Sequence, residues 1–175
     1  CGLVSVMGGK WTTCRPMALD TLAAVERQLG QALPSPKAMA LLGSGPTPTA
    51  TRDKLEEQKN QLKDLLLNTP QRDAQIAHLQ GSHGLQAVPL IAAAAPEDRA
   101  PLSDVIPLCE AEIVHAIKVE QARSSTDVLA RRCRLAMVDF AEAQRLEPLT
   151  EKHLAQSGLE SAATSTSPMS HQLNP

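Results

Sequence analysis

Cys109-Glu-Ala-Glu-Ile-Val-His-Ala-Ile-Lys-Val-Glu-Gln-Ala122 is the stretch on which the reading of the fold turns. Ile113, Val114 and Ile117, with Cys109, fall on one side at helical spacing, and Glu112, His115 and Lys118 fall on the other. That period predicts a helix packed by one face against a core. The same period recurs on both sides. Residues 52–67 place Leu55, Leu62, Leu65 and Leu66 on one face. Two heptads are too few for a coiled coil, so a core-facing amphipathic helix is expected. Shorter helices are predicted near 72–80 and 84–94, separated by Gly81 and Gly84 and ended by Pro96. Ser125 is placed to cap a helix through Asp127, Val128 and Leu129, with Asp127 at the positive end of its dipole. Two more helical pieces are predicted near 135–145 and 148–157. Residues 158–175, rich in Ser, Thr, Ala and Pro, have little to bury and are expected to be disordered.

Composition agrees with a helical fold. Hydrophobic residues make up 42% of the 175, but aromatics only 1%, Trp11 and Phe140. The core must then come from Leu, Ile, Val, Ala and Met, a set that favours helices over strands. A formal charge of −2 creates no basic field, so nucleic acid is not an expected partner. Cys1, Cys14, Cys109 and Cys133 lack CxxC spacing, and the histidines at 78, 83, 115, 153 and 171 look scattered along the chain. No metal site is therefore expected, and the thiols read as reduced in a cytoplasmic setting. No apolar run approaches the ~20 residues of a membrane span.

The first thirty residues have a different character. Leu3-Val-Ser-Val-Met7 is short, apolar and β-branched, and Gly8-Gly9 closes it, which predicts a buried strand. A helix follows from about Thr13 to Leu29, capped by Thr12 or Thr13, with Pro16 in its first turn and Gly30 as its stop. Met17, Leu22, Val25 and Leu29 share one side of it. Strand, glycine turn and helix read as the last unit of an α/β sheet, with Cys1 as a cut end. Residues 31–50, rich in Pro, Gly and Ser, form a linker. The expected organisation is a strand–helix remnant at 1–30, a linker at 31–50, a helical domain at 51–157 and a tail at 158–175. The fold class is mainly α.

Gly8-Gly-Lys-Trp-Thr-Thr-Cys-Arg15 carries the chemistry. Two glycines let the backbone approach a ligand closely. The N–H groups of an opening helix, the Lys10 charge and the hydroxyls of Thr12 and Thr13 suit an anion or an electron-rich ring oxygen. The frame is not a phosphate-binding P-loop, which needs G-x-x-x-x-G-K-[ST]. A plain turn whose threonines merely cap competes with this reading. A second cluster, Arg131, Arg132 and Arg134, could meet phosphate or RNA. Pinning of helices through Glu110, Glu112 or Glu120 is the favoured reading, because no aromatic platform accompanies the arginines.

Ser5-Val-Met-Gly-Gly-Lys-Trp-Thr-Thr-Cys-Arg-Pro-Met-Ala18 resembles the closing strand and helix of the flavin domain in FAD-dependent glycerol-3-phosphate dehydrogenases. Residues 109–122, followed by Thr126-Asp-Val-Leu-Ala-Arg-Arg-Cys-Arg-Leu-Ala136, resemble the helical C-terminal domain of the same family, in the same order. The resemblance implies oxidation of sn-glycerol 3-phosphate to dihydroxyacetone phosphate, with FAD as cofactor and a quinone as electron acceptor. It implies that Gly8, Gly9, Lys10, Thr12 and Thr13 line the flavin, and that Lys10 is catalytic by also holding the substrate. The family usually has Tyr where Cys14 stands, and often a basic residue at Pro16. The missing N-terminal flavin domain would be the partner of this fragment, which alone should neither retain FAD nor turn over. Peripheral contact with the cytoplasmic membrane and a homodimer are compatible with the resemblance. A non-enzymatic helical interaction module and an oxygen-using oxidase remain open alternatives.

Overall fold

The structure is a computed structural model that describes residues 2–35, 39 and 41–158. The chain divides into two compact units, residues 1–39 and 40–175.

In the first unit a single 3-10 turn, Trp11–Thr13, leads into helix α1 (Cys14–Leu29). Pro16 lies in the first turn, where a missing N–H costs no intrahelical bond. Gly30 ends the helix in the left-handed region at φ 67°, its N–H bonding to Glu26 O at 2.9 Å. The Glu26 carboxylate also accepts from Leu33 N at 2.8 Å, which fastens the chain beyond the cap. The expected helix is therefore present, but residues 3–7 form no strand. A strand exists only by hydrogen bonding to a neighbour, and the described residues of the first unit offer none. No residue of α1 is buried, and Leu22 and Leu29 are 37% and 57% exposed.

The second unit is helical. It contains α2 (Pro48–Leu65), α3 (Arg72–His83), α4 (Ala87–Ala93), α5 (Glu110–Lys118), α6 (Leu135–Val138) and α7 (Phe140–Gln156), with a π-helical turn at Asp127–Arg132. Its one β-bridge among the described residues joins Pro101 to Cys109. Thr47 caps α2 by accepting from Ala50 N at 3.1 Å, and Pro48 supplies the preset φ of a first helical residue. The expected linker thus ends slightly early.

Three other boundaries differ from expectation. Gly81 lies inside α3, whose hydrogen bonds tolerate a glycine at modest cost. The hydroxyl that receives Asp127 N is Ser124 at 3.1 Å, while buried Ser125 donates to Glu147 at 3.1 Å. Pro148 does not split the last helix; it sits inside α7. The break falls at Asp139, whose carboxylate caps α7 through Glu142 N at 3.0 Å. The expected tail lies outside the described residues, apart from exposed Gly158.

Two apolar cores fill this unit. Leu62 and Leu66, Ile76 and Leu79, and Leu90 and Ile91 join α2, α3 and α4 with Cys109 and Ala111. The second core gathers Ile113, Ala116 and Ile117 of α5 with Val128, Leu129, Leu135, Ala143, Leu146 and Leu154. Helix α5 contributes to both. Side-chain amides tie the segments together. Buried Gln58 donates to Leu85 O at 2.9 Å and buried Gln75 to Arg99 O at 2.7 Å, while half-buried Gln80 donates to Leu55 O inside α2 at 2.6 Å. The first two supply a partner to carbonyls outside the α-helices. No helix among the described residues is long and apolar enough to cross a membrane.

Candidate functional site

In the first unit Gly8 and Gly9 both have positive φ, 76° and 125°. These are conformations that side-chain-bearing residues rarely adopt. A Cβ at Gly8 would meet nothing within 4 Å, so its backbone is open to a ligand; one at Gly9 would strike Met17 Sδ at 2.2 Å. The turn is locked by Thr13, whose hydroxyl donates to Lys10 O at 3.0 Å and accepts from Lys10 N at 3.3 Å. Thr13 thus stiffens the turn, as the capping reading expects. Thr12 and Lys10 are exposed, and Lys10 forms no ion pair among the described residues. Beside them lies a wide groove of about 370 Å³, lined by Val6, Gly8, Gly9, Lys10, Trp11 and Met17 among others. Cys14 lines the same groove and is exposed, not packed away as a core thiol. The arrangement offers an anion or a polar ring edge an exposed ammonium, an exposed hydroxyl and the start of a sixteen-residue helix.

The second unit holds a polar cluster that the sequence spacing did not reveal. Glu112, expected to face solvent, is buried between the two cores, at 7% exposure. Its Oε1 lies 2.9 Å from His78 Nε2 and 3.1 Å from His83 Nε2, and its Oε2 accepts from Cys109 N at 2.9 Å. Burial by itself would raise its pKa. The hydrogen bonds from His78 and His83 overcome that and hold it at about 2. The same burial, aided by the Glu112 charge, pushes the Cys109 thiol up to about 12, so this cysteine is an inert core residue. His115 sets its ring edge-on to His83, centroids 5.5 Å apart. Burial, with the neighbouring His83, lowers its pKa. The histidines at 78, 83 and 115 are therefore gathered, not scattered. The i,i+3 and i,i+4 pattern on α5 could have drawn attention to Glu112, but its partners lie about thirty residues away on α3.

Of the three arginines, Arg132 behaves as a pin between segments. Arg132 pairs with Glu120, Nε to Oε2 at 3.1 Å, and donates to Glu120 O at 2.7 Å. Arg131 pairs with Asp127 one turn earlier. Glu110 serves His153 instead, at 2.6 Å. Arg134 sits in the left-handed region at φ 62°, between the π turn and α6.

Fold and site together define a class: an α-helical domain stabilised by two cores, joined to a glycine-turn and helix unit with an open cationic groove. A family profile described as the C-terminal domain of alpha-glycerophosphate oxidase matches residues 37–158, most of the chain, and the protein belongs to that family. It is similar to a mitochondrial glycerol-3-phosphate dehydrogenase of Arabidopsis thaliana, 31% identical over 82% of this chain and 24% of the relative. The human mitochondrial enzyme of that name is 32% identical over 84% of this chain and 20% of its own. That of Schizosaccharomyces pombe is 31% identical over 81% and 25%. The chain thus spans a quarter or less of the length of these relatives. No solved structure matches it significantly.

Proposed function

We propose that this chain is the C-terminal part of an FAD-dependent dehydrogenase that oxidises sn-glycerol 3-phosphate to dihydroxyacetone phosphate and passes the electrons to a quinone. Membership in the glycerophosphate oxidase C-terminal family carries the reading. The similar proteins are named dehydrogenases, which favours dehydrogenase over oxidase. The open backbone at Gly8, the exposed Lys10 and the wide groove beside them fit a flavin held between this turn and a second wall. The exposed apolar side chains of α1 suit a helix that packs against the rest of an α/β domain. When bound, FAD supplies the hydride acceptor for the substrate carbinol.

The residues of this chain would bind and orient. The backbone at Gly8 and Gly9 lets the ring edge come close. Thr13 keeps the turn rigid, and Thr12 offers a hydroxyl. The α1 N-terminus and Lys10 present positive charge where a reduced ring or a substrate phosphate is negative. Lys10 is the catalytic residue of this reading.

The test is kinetic. In the full-length enzyme, Lys10→Ala should lower kcat/KM for glycerol 3-phosphate by at least about tenfold, the scale of losing an oriented charge. Unchanged kinetics would remove Lys10 from the site. A coding sequence without a flavin domain upstream of Cys1 would favour a helical interaction module instead.

A further inference from the structure

The cluster that joins α3 to α5 has no part in the flavin reading, and it contains three groups of metal-ligand type. His83, at the end of α3, His115, on α5, and Glu120, just beyond α5, bring one ligand atom each to within 4.8 Å of the others. His115 Nε2 and Glu120 Oε1 are 3.9 Å apart. We propose that His83, His115 and Glu120 form a binding site for one divalent transition-metal ion of the zinc class.

The donor set selects the metal. Two imidazoles and a carboxylate suit zinc, cobalt or iron(II), whereas calcium and magnesium demand oxygen ligands throughout. Around tetrahedral zinc, bonds of about 2.0–2.1 Å set ligand atoms roughly 3.3 Å apart. The observed spacings, none above 4.8 Å, exceed that value by about 1.5 Å at most, and two of the three ligands stand on one short stretch, residues 115–120.

Outer contacts already orient two of the ligands. Glu112, anchored by Cys109 N, fixes the His83 ring at 3.1 Å. Arg132 takes Oε2 and the main-chain oxygen of Glu120, leaving Oε1 toward His115. Carboxylates behind ligating histidines and hydrogen bonds on ligating carboxylates are the usual supports of metal sites. A cavity of about 200 Å³ adjoins His83, Glu112, Glu120 and Arg132. It borders two of the three ligands, His83 and Glu120, and has room for water at the positions the protein does not fill.

The experiment uses the 175-residue chain carrying Cys1→Ser, Cys14→Ser and Cys133→Ser, which leaves buried Cys109 as its one thiol. Zn2+ and Co2+ are titrated separately, by calorimetry and by the visible absorption of bound cobalt. One saturable ion per chain is expected, with affinity weakened at least about tenfold in His115→Ala and in Glu120→Gln. Glu120 is exposed, so Glu120→Gln should retain the native circular dichroism and decide the matter if His115→Ala fails to fold. Absence of saturable binding, or equal affinity in a folded Glu120→Gln chain, would overturn the site.

Discussion

Glu112 illustrates what a single residue can hide. Its neighbours Ala111 and Ile113 each enter a different core, so its carboxylate emerges at the seam between them, under three donors. Helical spacing places it opposite Ile113 and predicts solvent there. That logic fails for a helix packed on more than one side. The consequence is measurable. The folded carboxylate binds a proton less readily than the unfolded one, with a pKa of about 2 against the ordinary 4.5. Its contribution is complete above 4.5 and is lost as pH falls from 4.5 toward 2. His115, also shifted down, acts in the same sense at higher pH, as pH falls below the ordinary imidazole value of 6.5. In chelator-containing buffer, the urea midpoint of the native chain should drop across the acid interval, and drop less in Glu112→Gln. Parallel curves for the two proteins would show that the buried carboxylate is not what titrates.

Elements are bounded in this protein by backbone approach as much as by caps. Between α3 and α4, Gly84 has φ 56° and ψ −132°, a region nearly reserved for glycine, and Leu85 N bonds to Gly43 O at 2.8 Å. A Cβ on Gly84 would lie 2.3 Å from Gly43 O, backbone against backbone. Gly84→Ala should therefore cost on the order of 2 kcal/mol or more. Gly81→Ala, inside α3 with nothing within 4 Å of a new Cβ, should stabilise by about 0.5–1 kcal/mol. Urea denaturation of the two variants checks the opposite signs; equal shifts would refute the close-approach argument. Both residues are glycines in a helical pattern, so sequence treats them alike, as separators. The same limit explains Pro148. Its rule is a local one, and the packing of Leu146, Thr150 and Leu154 carries α7 through it.

At the scale of the molecule the two units differ in what they bury. Residues 41–158 enclose two cores tied by α5, whereas no residue of α1 is buried and the groove beside Lys10 is wide and open. Ligand sites that hold cofactors cover most of the ligand's surface. The purified chain should accordingly show no stoichiometric flavin absorbance after incubation with FAD and gel filtration. A retained equivalent of FAD would contradict the view that this turn forms only one side of a pocket. Much of this was legible beforehand. Local period, glycine stops and an aromatic-poor composition determined that the chain is helical and roughly where its helices lie. The Gly-Gly-Lys turn and the residues 109–136 carried the family. These are properties of neighbours within a few residues, which local sterics and hydrogen bonding impose. Tertiary structure alone decided that Glu112 is buried, that His78, His83 and His115 meet, that Gly84 touches Gly43, and that residues 3–7 stand without a sheet. Those facts depend on groups tens of residues apart, and the free energy that joins them comes from packing that no short window of sequence contains.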